Sequence, residues 1–275
     1  MTKKNKSAIQ RRLIPTYIFL IIVSFFSVFP LYWMISAATN TSTDVSRGRI
    51  IPGSYFMENF KNLTSQQPLW RALGNSFFYA ILTTVICLLI CSIAGYGFEV
   101  YHDKAKDRLF SVLLLAMMVP QVATMVPLFK MFSKAKLLNT SIGFILPIIS
   151  TPFMIMMFRQ NARAFPVDII EAARIDGANQ FQIYWKIFMP IMKPSLILVG
   201  VLNMLTVWND YLGPLIFLQD RSKYTLALGL ASFKGVHSTQ IIPMLCITII
   251  MIIPPIIIFI IAQKYIVEGT SGSIK

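Results

Sequence analysis

The amino-acid sequence predicts an all-α fold, a polytopic transmembrane helix bundle of six spans with a short cytoplasmic helix between spans four and five. Three observations predict it. Of the 275 residues, 56% are hydrophobic and only 13% charged, whereas soluble domains carry about 25% charged residues. Six apolar windows recur along the chain, uncharged apart from Asp210, on the scale of the roughly 20 residues a helix needs to cross a bilayer core. The basic residues lie between these windows instead of gathering on one polar domain, so the net charge of +14 reads as topology and not as a nucleic-acid surface.

The elements follow in order. Residues 1–12 are a basic cytoplasmic N-terminus carrying Lys3, Lys4, Lys6, Arg11 and Arg12. The apolar run 13–38 behind it resembles a signal peptide, with Ser36-Ala37-Ala38 as a nominal cleavage site. It is longer than the about 7 to 15 residues of a signal core and is expected to remain as the first span. Residues 39–71 form an extracytoplasmic loop whose Pro52, Gly53, Tyr55, Phe56 and Trp70 suit a packed or interfacial segment. The transmembrane core, 72–265, holds spans at 72–98, 109–129, 137–158, 194–209 extended to 218, and 241–263, with a cytoplasmic segment at 159–193. Residues 266–275 are a cytoplasmic tail.

With the N-terminus inside, fifteen of the 25 basic residues fall in cytoplasmic segments and ten outside. Positive residues are retained on the cytoplasmic side during insertion, so both termini are expected there, in a multi-pass bacterial cell-membrane protein. Pro120, Pro127, Pro147, Pro152, Pro214, Pro243, Pro254 and Pro255 lie in or beside spans. Each can kink a helix for a bundle that opens and closes, or simply reflect the proline content of membrane helices. Cys87, Cys91 and Cys246 sit in apolar runs as small hydrophobes. The Cys87/Cys91 pair has no histidines near it and makes a poor zinc site, so no metal is expected.

The segment between spans four and five is the most ordered in pattern. Asp168 stands as a helix N-cap with Glu171 three residues on as the reciprocal cap, and Gly177 supplies the stop. Phe181, Tyr184, Trp185, Phe188 and Met189 then recur at the spacing of one helical face, before Pro190 and Pro194 mark the return to the bilayer. Such a pair is either a docking device, with Ala172, Ala173, Gly177 and Ala178 permitting close approach, or an interfacial brace for spans four and five.

Glu171-Ala172-Ala173-Arg174-Ile175-Asp176-Gly177-Ala178, followed by Phe188-Met189-Pro190 and Pro194, closely resembles the EAA loop of permeases in binding-protein-dependent ABC importers. Other stretches are similar to the second permease of maltose and multiple-sugar systems: Asn75-Ser76, Pro127-Leu128-Phe129, Leu137-Leu138-Asn139-Thr140, Trp208 to Leu215, Thr225 to Leu230 and Tyr265 to Gly269. The resemblance covers Trp70 to the C-terminus. It implies a permease that moves a sugar, an oligosaccharide by preference, by alternating access. It also implies that Glu171, Ala172, Ala173, Asp176, Gly177 and Ala178 dock the segment, as a coupling helix, onto an ATPase subunit. The partners implied are two cytoplasmic ATPase subunits, a homologous second permease, an extracytoplasmic sugar-binding protein or lipoprotein, the sugar itself and membrane lipid. ATP and Mg would reside on the ATPase subunits. Asp210 stands where the family often has Glu.

No phosphate-binding Gly-x-x-x-x-Gly-Lys loop, His-Glu-x-x-His motif or Gly-x-Ser-x-Gly elbow occurs, so the chain is expected to be a transport subunit with no catalytic residues and no cofactor of its own. His102 and His237 fall in polar loops and read as solvated. The competing class is an ion-coupled secondary transporter, which usually places ionisable groups within its spans. Only Asp210 qualifies. It either lines the sugar pathway, with Trp208 stacking on a sugar face and Asn209 beside it, or is a polar group bonded to its neighbours.

Overall fold

A computed structural model describes residues 3–66, 68–101, 103–163, 165–233 and 240–271, with the side chains of all of these but 3–12, Val167 and 266–271. His102 and His237 lie outside these residues. All regular structure among the described residues is helical, and the chain divides into two compact units, 1–67 with 233–250 and 68–232 with 251–275.

The first unit begins with α1 (Lys3–Ala38). Its span Leu13–Ala38 is exposed along the whole of its most apolar stretch, as a helix bathed in hydrocarbon must be. Short helices α2 (Ser42–Ser46) and α3 (Phe56–Gln66) follow. The turn out of α1 is tied by side chains: the Asn40 Nδ2 donates to Ser36 O and Ile51 O at 2.9 Å each, and the Asn59 Nδ2 donates to Ala38 O and Asn40 O. Gly53 lies so close that a Cβ there would stand 2.6 Å from Asn40 Oδ1 and Thr39 O. The loop after α1 is therefore folded and not a free linker.

The second unit is organised around α4 (Leu69–Val100), a 32-residue helix without internal proline. After it come α5 (Lys104–Ala116), α6 (Gln121–Lys134), α7 (Ser141–Ile145), continued by a 3-10 turn to Ile148, and α8 (Pro152–Ala162). Then follow α9 (Val167–Ile175), α10 (Gln180–Ile191), α11 (Lys193–Asn209), α12 (Leu212–Phe217), α13 (Leu226–Ser232) and α14 (Ile241–Ser271). The last of these continues from the first unit into the second.

Three single helices have the length and apolarity to cross a membrane: Leu13–Ala38, Leu69–Val100 and Ile241–Tyr265. Two of the other expected spans are bent pairs, α5 with α6 at 99° and α7 with α8 at 44°, and the fifth begins with α11, which is bent by 77° from α10 before it; by length and apolarity these allow up to six crossings among the described residues. This departs from the unbroken windows of the sequence, and proline supplies the reason. Pro120 and Pro152 sit at the breaks, Pro120 extended (ψ 129°) and Pro152 restarting a helix capped by the Thr151 Oγ1. Proline lacks a backbone donor and pushes the residue before it out of helical conformation. Pro190 and Pro194 flank the third break at Met192, and Pro254 and Pro255 are carried inside α14.

Helices α8 and α11 pack on α4. Small residues set the approach: a Cβ on Gly95 would stand 2.5 Å from the Phe158 Cβ, and one on Gly200 3.3 Å from Leu88. Close backbone approach of this kind is how membrane helices gain packing without a hydrophobic drive between them. The Asn203 Nδ2 donates to the Thr84 Oγ1 at 3.1 Å across the α11/α4 contact.

At the start of α4, the Asn75 Nδ2 donates to Ser222 O and Tyr224 O, and the Ser76 Oγ accepts from Leu226 N. Asn139, left-handed at φ 57°, accepts at Oδ1 from Gln219 N and Asp220 N. The stretches Asn75-Ser76 and Leu137 to Thr140 thus serve one loop system. Roughly 30 Å along α4 from Ser76, at 1.5 Å per residue, Tyr96 meets Phe165, Ile170 and Phe188 of the segment that follows α8.

Candidate functional site

Helix α9 starts after Pro166 with no side-chain cap. The capping box expected from Asp168 and Glu171 does not form, because the helix begins one residue before Asp168 and leaves it in the first turn. There its charge faces the positive end of the helix dipole. The stop is a complete Schellman turn: Ala178 N donates to Ala173 O and Gly177 N to Arg174 O, with Gly177 at φ +79°. That left-handed geometry favours glycine over any residue with a Cβ. The capping box appears at the next helix, where the Asn179 Oδ1 accepts from Gln182 N and the Gln182 Oε1 accepts from Asn179 N, both at 2.9 Å. A stop and a restart on adjacent residues fix the angle between α9 and α10.

The inward face of the segment is apolar. Ile170 and Ala173 of α9 join Phe165, Ile183, Tyr184, Phe188 and Met192 around Tyr96 near the end of α4. Two polar ties add to this packing. The hydroxyls of Tyr184 and Ser92 lie 2.7 Å apart, and the Tyr101 hydroxyl donates to the Gln180 Oε1. The Arg174 guanidinium covers the Tyr101 ring at 5.4 Å, a cation–π contact.

Five aromatic and methionine positions expected on one helical face are divided instead. Tyr184 and Phe188 are buried, while Phe181 and Trp185 are exposed. A π-helical turn at Tyr184–Phe188 causes this. Its wider turn advances the buried face to Ile183, Tyr184, Phe188 and Met192, a register that counting in 3.6-residue steps does not yield.

Of the six residues expected to dock, Glu171, Ala172, Asp176 and Gly177 are exposed, Ala178 is half-buried and Ala173 faces the core. Ile175, which the sequence reading passed over, is 86% exposed at the end of α9. The exposed face is thus made of small and charged residues, with Ile175 as its most exposed apolar side chain. A single Ile inside an eight-residue match gave no sign of standing outward until the faces were assigned.

The expected pathway residues separate. Trp208 is 2% exposed, its Nε1 donates to Met251 O at 3.0 Å and its ring meets Phe77 edge-on at 4.9 Å. Its polar handle is already used in the core. Asn209 and Asp210, by contrast, line a cavity of about 530 Å³ together with Thr151, Met154, Asn203 and Thr206. The Asp210 Oδ1 accepts from Leu212 N and Gly213 N and so starts α12. Asn203 and Thr206 were missed by the sequence reading, although amides and hydroxyls inside an apolar span are the available signal.

Residues 89–271 match the family of binding-protein-dependent transport system inner membrane components. The lactose transport system permease protein LacG of Rhizobium radiobacter is 35% identical over 98% of this chain and 99% of its own length. The arabinooligosaccharides transport system permease protein AraQ of Bacillus subtilis is 32% identical over 94% of each chain. Among solved structures, a chain of a bacterial ABC transporter involved in the import of the acidic polysaccharide alginate superposes with a TM-score of 0.81 at 21% identity, covering 97% of this chain and 99% of that one. That likeness is one of fold.

Proposed function

Because this chain belongs to the binding-protein-dependent transport system inner membrane components, we propose that, as the permease of an ABC importer, it moves a sugar into the cell, an oligosaccharide by preference. The relatives named for lactose and arabinooligosaccharides support the substrate class. Family membership replaces the ion-coupled carrier as a reading of the chain. ATP and Mg are held by two separate ATPase subunits on the cytoplasmic side, a homologous second permease completes the translocation unit, and an extracytoplasmic binding protein delivers the sugar. Both termini of this chain are cytoplasmic.

One observation carries the proposal. Helix α9 is clamped on its inner side by the Tyr96 cluster, turned at Gly177 and left open on its outer side at Glu171, Ala172, Ile175 and Asp176. This is the form of a rigid knob for a cleft in a partner. ATP binding can shift the equilibrium between inward and outward states only if that knob is held differently in the two ATPase states. Sugar then passes the cavity at Asn203, Asn209 and Asp210, where amides and a carboxylate offer partners to hydroxyls.

The test is replacement of Gly177 by leucine. No neighbour lies within 4 Å of a Cβ there, so the side chain enters open space on the docking side. Membrane insertion should be unchanged, while co-elution of the ATPase subunits and uptake are both lost. Normal uptake with the leucine in place would sink the docking reading.

A further inference from the structure

Eight residues before the start of α9, Arg159 occupies the last turn of α8 with its side chain only 9% exposed. Its Nε donates to the Glu99 Oε2 at 3.2 Å, in the last turn of α4, and its Nη2 donates to the Asp107 Oδ1 at 2.6 Å, in the first turn of α5. The guanidinium carbon lies 4.2 Å from the centre of the Phe110 ring and 6.0 Å from that of Phe98. Directly beneath, a Cβ on Gly95 would stand 3.0 Å from Arg159 N, so the α4 and α8 backbones are nearly in contact at this level. On one side lies the cluster of Phe110 and Phe158, and on the other the cluster of Ala162, Phe165 and Ile170 that holds α9.

A buried cation is costly and is retained where its geometry serves something. Here one planar group satisfies two carboxylates on two different helices while lying against a ring, which a guanidinium can do and an ammonium cannot. We infer that Arg159 is a positioning residue for transport: it locks the ends of α4, α5 and α8 into one body with α9. A displacement imposed on the docking segment therefore reaches two other helices instead of being absorbed between 163 and 166. A flexing point lies away from this body, at the 99° break before Pro120. The inference rests on the docking reading above.

The test uses the complete importer in lipid nanodiscs, with nitroxides at Asp168→Cys on α9 and Val112→Cys on α5. Both positions are exposed, and the native Cys87, Cys91 and Cys246 are buried. With the native Arg159, the inter-label distance should be a single narrow distribution, the same without nucleotide and after trapping with ATP and vanadate. R159K keeps the charge but cannot bridge both carboxylates, so it should broaden the distribution and lower ATP hydrolysis linked to the binding protein while the ATPase subunits still co-elute. E99Q/D107N should do the same from the acceptor side. Distributions as narrow in R159K and E99Q/D107N as in the native chain overturn the inference, as does a native distance that changes on trapping. The docking reading fails by a different sign, retention of the ATPase subunits by Gly177→Leu.

Discussion

At the scale of single residues, two glycines decide the local geometry for different reasons. Gly177 is needed for its left-handed backbone (φ +79°), with open space around it. Gly177→Ala should therefore cost about 1 kcal/mol of strain and no more, visible as a small fall in melting temperature in detergent with transport retained. Gly95 is needed for its size. Gly95→Leu drives a side chain into Phe158 and should cost roughly 1–3 kcal/mol, read as a lower melting temperature and loss of transport together. The Gly177 stop was legible in the sequence because glycine after a short amphipathic run has one common use. The Gly95 contact was not, since it depends on which residue of another helix lies opposite. Trp208 teaches the same lesson from the other side: an indole beside Asn209 and Asp210 looked fit to stack on a sugar, and only the fold showed its nitrogen committed to Met251 O.

At the scale of elements, apolar windows pointed to six membrane segments but could not show that two of them bend and that a third is entered through a sharp bend. Hydropathy measures composition, while a bend depends on whether a proline falls where neighbours can re-satisfy the freed carbonyls. The α9–α10 corner was half legible. Its motif was plain, yet the capping box lies at Asn179 and Gln182 instead of Asp168 and Glu171. Asn179→Ala should weaken the restart of α10 by about 1 kcal/mol, and amide exchange should speed up at 180–184 before it does so in α9. The loop after α12 offers a test by pH. The hydrogen bond from Asn139, and then the charge of Lys223, hold the Asp220 carboxyl below its ordinary value of 3.8. A carboxyl lowered on folding contributes stability above its unfolded value and loses it as pH falls through the folded one. Acidification below about pH 4 should therefore loosen 219–223, and in Asn139→Ala the same loosening should begin at higher pH, as followed by a fluorophore on an exposed residue of the loop.

At the scale of the whole molecule, the composition spoke for a membrane protein and the eight-residue match at Glu171 to Ala178 for its family, while the cargo was written in neither. Asn203, Thr206, Asn209 and Asp210 follow one another along one face of α11 and its end, a spacing open to reading in the sequence, but that this face lines a cavity with Thr151 and Met154 depends on the packing of α8. Conversion of Asn203 to leucine should leave assembly with the ATPase subunits intact and reduce uptake of the transported sugar, a division expected of a pathway residue that also bridges to Thr84. The central claim remains that the outer face of α9 is the contact through which ATP hydrolysis reaches the spans. It is tested most directly by a photoreactive amino acid at Ile175, the outermost apolar side chain of that face, in the complete importer within native membranes. The account predicts a crosslink from Ile175 to an ATPase subunit that changes in yield when ATP and vanadate are added. Crosslinks to lipid or to the second permease alone would contradict it.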